Sequence, residues 1–574
     1  MSAPRAESLS PLAGDDWNYA RAAHLLERAG FGGTPSDIDR LAAMSPADAV
    51  AHLVEYRNID VSHLPEFEES GFWEPSFTHF PVSRPAATEL AERTGAAMGV
   101  AVKPTGSRPL QPVTNRFFYW LRATVLETRR LNFWWVDRMV RTPRPLEEKL
   151  TLFWHGHFAT SEEKLRDYRK SKLQIATLRA HATGNFGELL VAVAKDPAML
   201  VFLDAAQNVK GAPNENFGRE VMELFTMGVG NYTEDDIREA ARAFTGWGND
   251  DLTFVIDAAK HDAGPKRFLG REGNFTGEDI LAIILEQKQT AIYIASKLYR
   301  FFVREEISPA FAESLGNLLR DNNYEIAPFL RTLFLSEDFY AEPSVATHIK
   351  SPTELIVSTY RKLGVTQLPG IPDPFTVSKT LGQILLYPPT VAGWSEGRAW
   401  ITPALLFERA NFAREVMFPN IIEFSDPLHN PGEEIRRVNR NIIAGMEITA
   451  ATLEDGAAPS ATAGIQETFN TRYASLMGYS EAVRKLKPIP RAAAQFSLTR
   501  TVLDAGAGTT AEAVDLLVRQ LLRVDLADTA RTALVQTLDD ELGTTSLAEA
   551  ETYMEHGLRI VAHLIMSSPQ YQLA

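Results

Sequence analysis

None of the 574 residues is cysteine. That excludes disulfide frameworks, thiolate metal sites and cysteine nucleophiles. Positive charge is also short: 58 Lys and Arg stand against 73 Asp and Glu, for a formal net charge of −15. A nucleic-acid binder needs a basic patch to neutralise phosphates. Local basic runs such as Lys164 to Lys172 alternate with other residue types and read as solvated helix faces. Long apolar runs are missing, and no stretch approaches the roughly 20 residues of a membrane span. The opening MSAPRAESLSPLAGDD has neither an apolar core nor a twin arginine, so no secretory signal is expected there. The expectation is therefore a cytoplasmic protein, or one exported while bound to a partner. No repeat of 20–50 residues is visible. Nor is there a P-loop, a dinucleotide fingerprint, a Gly-x-Ser-x-Gly elbow or a His-Glu-x-x-His pair. These absences remove the most easily recognised enzyme classes.

What remains is the composition of an ordinary globular protein, 45% hydrophobic and 23% charged, at a length above the usual single domain. Helical periodicity dominates. Trp17, Ala20, His24 and Leu25 share one face, and Gly30, Gly32 and Gly33 stop that helix. Thr34-Pro35 and Ser45-Pro46 start the next two. Residues 57–112, rich in Pro, Gly, Ser and scattered aromatics, predict a long irregular excursion with one short helix near 86–98. From Asn115 to Phe158 the helical signal returns, broken at Pro143 to Pro145. Short strands are expected at 254–257 and 266–269, as one β-hairpin, and helices again through 276–364. Residues 419–465 read as irregular, with an Ala/Gly/Ser/Thr-rich part at 449–464, and 511–574 as helical. The expected fold is mainly α: a multi-helical globular protein with one large core, long irregular loops and a short β-hairpin. The expected organisation is a tail at 1–16, a helical core at 17–415, an irregular insertion at 416–510, and C-terminal helices at 511–574 packed on the core.

The richest chemistry lies in Pro213 to Trp247, PNENFGREVMELFTMGVGNYTEDDIREAARAFTGW. It reads as two helices joined by a turn at Gly228 and Gly230. Phe217, Val221, Leu224 and Phe225 form an apolar stripe. Asn216, Glu220 and Glu223 form an acidic one at one-turn spacing. Two carboxylates one turn apart project together and can bind a metal. They can equally be a solvated face, since Arg219 lies four residues from both Glu215 and Glu223.

A second stretch, Phe153-Trp-His-Gly-His-Phe158, carries His155 and His157 two residues apart. Such histidines sit about 200° apart on a helix but converge in an extended segment or at a helix end. Imidazole is the commonest metal ligand, and the chain has only 12 histidines. The bland alternative is one histidine packed under Trp154 and one capping a helix. His261-Asp262 is either a ligand or proton-shuttle pair, or part of a turn.

The phrases HLLERAGFG, FWHGHFATS, KDPAMLVFLD, the 213–247 stretch, HDAGPKRFLG, SPTELI and YPPTVAGW occur in this order. On these the chain resembles the bacterial family known as domain of unknown function 1800, over about 17–415 and again at HLIMSSPQYQ. The resemblance implies no settled activity. It implies a sulfatase-like companion protein carrying an export signal, and it places the family motifs on the residues singled out above.

The leading expectation is a metal-dependent enzyme, a hydrolase or an oxidoreductase. His155, His157, Glu220 and Glu223 would hold a divalent ion through nitrogen and oxygen. His261, oriented by Asp262, would move protons or add a ligand, and Arg219 would steady the carboxylates or bind an anionic substrate. The alternative is a non-catalytic assembly partner of the sulfatase-like protein. In that case the same groups would be closed in ion pairs with Arg219, Arg238 or Arg242. Neither reading involves nucleic acid or a membrane span.

Overall fold

The computed structural model describes residues 4–574 except 79, 82, 95–97, 104–107, 420–468, 490 and 491. The irregular, linker-like stretch expected at 419–465 lies, but for residue 419, outside the described residues.

Proline and capping residues set the helix starts. α1 (Tyr19–Arg28) is capped by Asn18. α2 (Pro35–Ala42) opens on a Thr34/Asp37 capping box, and α3 (Pro46–Val54) on Ser45. The 57–112 excursion contains α4 (Arg84–Thr94). α5 (Gln111–Arg141) is one continuous helix of 31 residues, ended by Thr142-Pro143. α6 (Pro145–His157) follows at once, and almost every residue of it is buried.

Next come α7 (Glu162–Leu165), α8 (Tyr168–Ala180), α9 (Phe186–Ala194), α10 (Pro197–Phe202) and α11 (Asn216–Glu220). α11 widens into a π-helical turn over Val221–Thr226. α12 (Glu234–Ala243) has the acidic first turn and the Thr233 capping box that its sequence demands. α13 (Gly277–Glu286), α14 (Lys288–Phe302), α15 (Pro309–Asp321) and α16 (Ile326–Leu335) continue the bundle. α17 (Pro352–Lys362), α18 (Pro374–Leu381) and α19 (Pro403–Met417) complete it before the undescribed residues. Within the stretch read as an irregular insertion, residues Thr471–Lys485 and Leu498–Asp504 are helical. Helices at Thr510–Leu521, Asp528–Leu542 and Met554–Met566 close the chain.

The single expected hairpin resolves into two. β1 (Trp247–Asp250) pairs antiparallel with β2 (Thr253–Ile256), and β3 (Lys266–Phe268) with β4 (Arg271–Gly273). Each turns through two residues. Asp251 has φ +49°, and Leu269 and Gly270 have φ +45° and +77°. Positive φ in the turn matches the twist of paired strands, so each strand folds back on its near neighbour.

Apolar side chains gather in two large clusters rather than one. The first joins α1–α3, α9, α10, the π-helical turn and α12–α16. The second joins α5, α17–α19 and the C-terminal helices. α6 runs between them, giving Leu146, Leu150 and Trp154 to the first and Leu152 to the second. No helix among the described residues is long and apolar enough to cross a membrane.

Candidate functional site

The helix of α6 continues through the His-x-His motif instead of opening before it. His155 and His157 therefore leave on different sides and meet different partners. His155 Nε2 accepts the backbone N–H of Leu386 at 3.1 Å, and its ring packs on Trp135 and Trp394 at 5.2 and 5.3 Å between centroids. Burial pushes it down to about 3, so the ring is neutral. Its proton sits on Nδ1, which has no hydrogen-bond partner among the described residues.

His157 points to the other side. Its Nε2–H donates to the Phe225 carbonyl at 3.1 Å, and its Nδ1 accepts from Lys297 Nζ at 3.1 Å. Burial first, and then the Lys297 charge, hold it well below its ordinary value. The FWHGHF and 213–247 stretches do meet, but through backbone and rings rather than carboxylates. The last carbonyls of a helix lack intrahelical partners. Here Phe225 O is taken by His157 and Leu224 O by the Tyr293 hydroxyl at 3.0 Å. Phe158 packs on Phe225 at 5.2 Å.

The remaining expected residues are dispersed. Glu223 accepts from the Tyr232 hydroxyl at 3.0 Å. Glu220 is half-buried, and burial and then Glu223 raise its carboxyl. Arg219 bridges Glu215 at 3.2 Å and Glu234 at 2.9 Å. His261 Nδ1 donates to the Thr245 carbonyl at 2.9 Å, so Thr245 rather than Asp262 orients the ring. Asp262 accepts from Arg242 Nε at 2.8 Å, and that bond holds it down at about 2. Among the described residues, no three His, Asp or Glu side chains form a metal-sized group. A shared ion also fits the histidines poorly. They diverge from α6, and both ring nitrogens of His157 are already engaged.

The structure instead builds a cavity of about 90 Å³ between α6, α14, α17 and the loop after α18. Phe153, Phe301, Trp394 and Trp400 wall it. The polar lining includes His157, Lys297, His348, Glu354, Gln383 and Glu396. The FWHGHF, SPTELI and VAGW phrases all contribute. Gly393 fixes the approach of the last to the first. Its φ is +85°, and a Cβ there would lie 2.5 Å from the Gly156 carbonyl. Only glycine lets the two backbones come this close.

Charge in the cavity falls into two parts. Glu354 belongs to the framework. It accepts from Lys149 Nζ at 2.5 Å and from the Ser351 N–H at 2.8 Å, and meets His348 Nε2 at 3.2 Å. Against the cost of burial, Lys149 and then His348 hold its carboxyl well below the ordinary range. A neighbouring buried centre sets Glu27 against Lys362, Lys350 and Arg523 at 2.9, 3.4 and 3.6 Å, and ties α1 to α17 and the C-terminal region.

Lys297 and Glu396 form the other part. Among the described residues, the sole hydrogen-bond partner of the Lys297 amine is the neutral His157 ring. Burial pushes Lys297 down to about 8, against the attraction of Glu396 and with Arg300 adding to the fall. Glu396 is exposed at the cavity mouth, yet the surrounding protein raises its carboxyl, against the attraction of Lys297. No salt bridge joins the two, and both line the cavity.

Sequence reading missed this set. Lys297 is one of several polar positions on an amphipathic helix, Glu354 reads as a helix start, and Glu396 lies in a loop without periodicity.

Fold and cavity together define a multi-helical protein built around a buried, charged centre between two apolar clusters. The chain belongs to the family described as Protein of unknown function (DUF1800), whose model matches residues 24–573. No curated protein and no solved structure matches the chain.

Proposed function

We propose that this chain is an enzyme whose catalytic centre is the cavity lined by His157, Lys297 and Glu396, working by acid–base chemistry on a small polar substrate. One arrangement supports the reading: a largely enclosed lysine, partnered only by a neutral imidazole, facing a cavity with a carboxyl group at its mouth. A neutral Lys297 amine donating one N–H to His157 Nδ1 keeps its lone pair for the cavity. It takes a proton from a carbon acid or hydroxyl of the substrate, and Glu396, whose carboxyl burial raises above the ordinary range, is the group placed at the cavity mouth to exchange the second proton. His157 holds the amine in place and is itself fixed by the Phe225 carbonyl. The aromatic walls exclude water and present flat faces to the substrate.

Reductive methylation with formaldehyde and cyanoborohydride, read lysine by lysine in a mass spectrometer, tests this without a known substrate. Lys297 is expected to react ahead of surface lysines at neutral pH, with a rate that levels off just above pH 8. If surface lysines react while Lys297 does not, or if its rate still climbs towards pH 10, the reading fails.

A second reading, assembly with a sulfatase-like companion, draws support from the ion-paired surface of α11 and α12. Arg219, Arg238 and Arg242 are all closed on neighbouring carboxylates. Co-purification of the two proteins, lost on charge reversal of Arg238, tests it.

A further inference from the structure

At the opposite end of α17 from Glu354 lies a second, larger concavity of about 710 Å³, open to solvent. That volume is within the roughly 300–1,000 Å³ of small-molecule sites. Its floor is apolar, made by Leu26, Leu41, Leu53, Ile59, Leu64 and Val365 from α1, α2, α3, the loop after α3 and the turn after α17. Its rim is basic. Arg40, Arg141 and Arg361 face it with His52 and His63, against one carboxylate, Asp37. In a chain of net charge −15 this is a local reversal of sign.

Asp37 does not cancel the rim. Its carboxylate serves the α2 capping box, taking the Thr34 N–H at 3.0 Å and the Thr34 hydroxyl at 2.8 Å, and reaches Arg40 at 3.1 Å. Arg361 is pinned rather than neutralised. Its Nε donates to Gly32 O at 3.1 Å, and its Nη1 donates to the carbonyls of Val140 and Thr142 at 3.0 Å and Met139 at 3.3 Å. Its Nη2 makes no hydrogen bond among the described residues. Arg141 meets Asp137 at 3.2 Å through Nη1, which leaves donors of the planar fork for another anion.

We propose that this groove is a binding site for a single-chain anionic amphiphile. The hydrocarbon lies along the leucine-rich floor and the anionic head is taken by Arg141, Arg40 and the free side of Arg361. An apolar floor alone would accept any greasy ligand. Three arginines against two carboxylates, Asp37 and Asp137, leave a net positive charge and unused guanidinium donors that select the anion. Carboxylate and phosphate heads share this chemistry, and the choice of probe separates them.

The test is calorimetric titration of the full chain with decanoate, decyl phosphate and decanol, each below its micellar concentration. Decanoate or decyl phosphate, whichever fits the head site, is expected to bind at least tenfold tighter than decanol, with a negative heat-capacity change from apolar burial. Arg141→Gln is expected to weaken that anion about tenfold and to leave decanol unchanged. Arg40→Gln, on a largely exposed side chain, repeats the test where folding is not at risk. The proposal is overturned if neither anion outbinds decanol, or if both variants, folded by circular dichroism, bind the anion as the parent does. Arg361 is left intact because it holds the carboxyl end of α5.

Discussion

Lys297 Nζ lies 3.1 Å from His157 Nδ1, while the other nitrogen of the same ring is bonded to the Phe225 carbonyl. Both ring nitrogens are engaged, and burial opposes protonation of the ring. It serves as a neutral rest for an amine kept away from water.

That arrangement costs stability. The folded-state Lys297 lies near 8, against 10.5 unperturbed. Below pH 8 both states carry the proton, and the folded state bears the full penalty of a desolvated ammonium. Between pH 8 and about 10.5 the unfolded chain binds more protons, so stability rises with pH. Lys297→Met is therefore expected to stabilise the protein by about 1–3 kcal/mol at pH 7. The gain should shrink from pH 8 upwards in denaturant titrations, and a gain independent of pH would contradict the placement.

Glu354 is expected to behave in the opposite way. Glu354→Gln leaves Lys149 without its carboxylate in a fully buried site. Losing one partner of such a pair costs about 3–5 kcal/mol. Urea unfolding of the single variant and of Glu354→Gln/Lys149→Met measures this, and the double variant should recover part of the loss.

Glu162 offers a second pH signature. Fully enclosed, it accepts from the Ser171 hydroxyl at 2.6 Å and from the Asp167 backbone N–H, yet burial raises its carboxyl to about 8. Between pH 4.5 and 8 the folded state holds a proton that the unfolded chain has lost, so stability falls as pH rises. Glu162→Gln should leave the melting temperature nearly unchanged at pH 4 and raise it at pH 8. The gain in free energy is expected to be roughly 3 kcal/mol.

Gly393→Ala forces a Cβ against the Gly156 carbonyl at a backbone φ of +85°. A loss of about 2–3 kcal/mol is expected from strain and displacement of the 390–394 turn. Formaldehyde labelling should also become less selective for Lys297 as the cavity wall moves. Unchanged selectivity would mean that Trp394 does not shape the site.

Elemental analysis of protein prepared without chelator or affinity-tag metal separates the acid–base reading from the metal-dependent one. Glu220 and Glu223 form no salt bridge among the described residues, unlike Glu215, Glu234 and Glu239 around them, so they are the carboxylates to vary. The acid–base proposal expects no stoichiometric ion. A divalent ion bound one to one and lost in Glu220→Ala/Glu223→Ala would replace it.

Where the information was local, the sequence was enough. Helix starts at Thr34-Pro35, Ser45-Pro46, Thr233 and Ser351 follow from side chains capping amides three residues away, and the α-rich fold from apolar spacing within one or two turns. The absence of cysteine and the family resemblance needed only the order of letters. What required the tertiary structure was everything joining distant segments. The 390–394 turn packs against α6 at Gly156, where Gly393 meets the Gly156 carbonyl. Glu354 becomes an ion-pair centre only because α6 brings Lys149 to it. Lys297 and Glu396 are 99 positions apart and neither belongs to a local pattern. Desolvation, which sets their charge states, is a property of the enclosing fold, and no sequence window contains it.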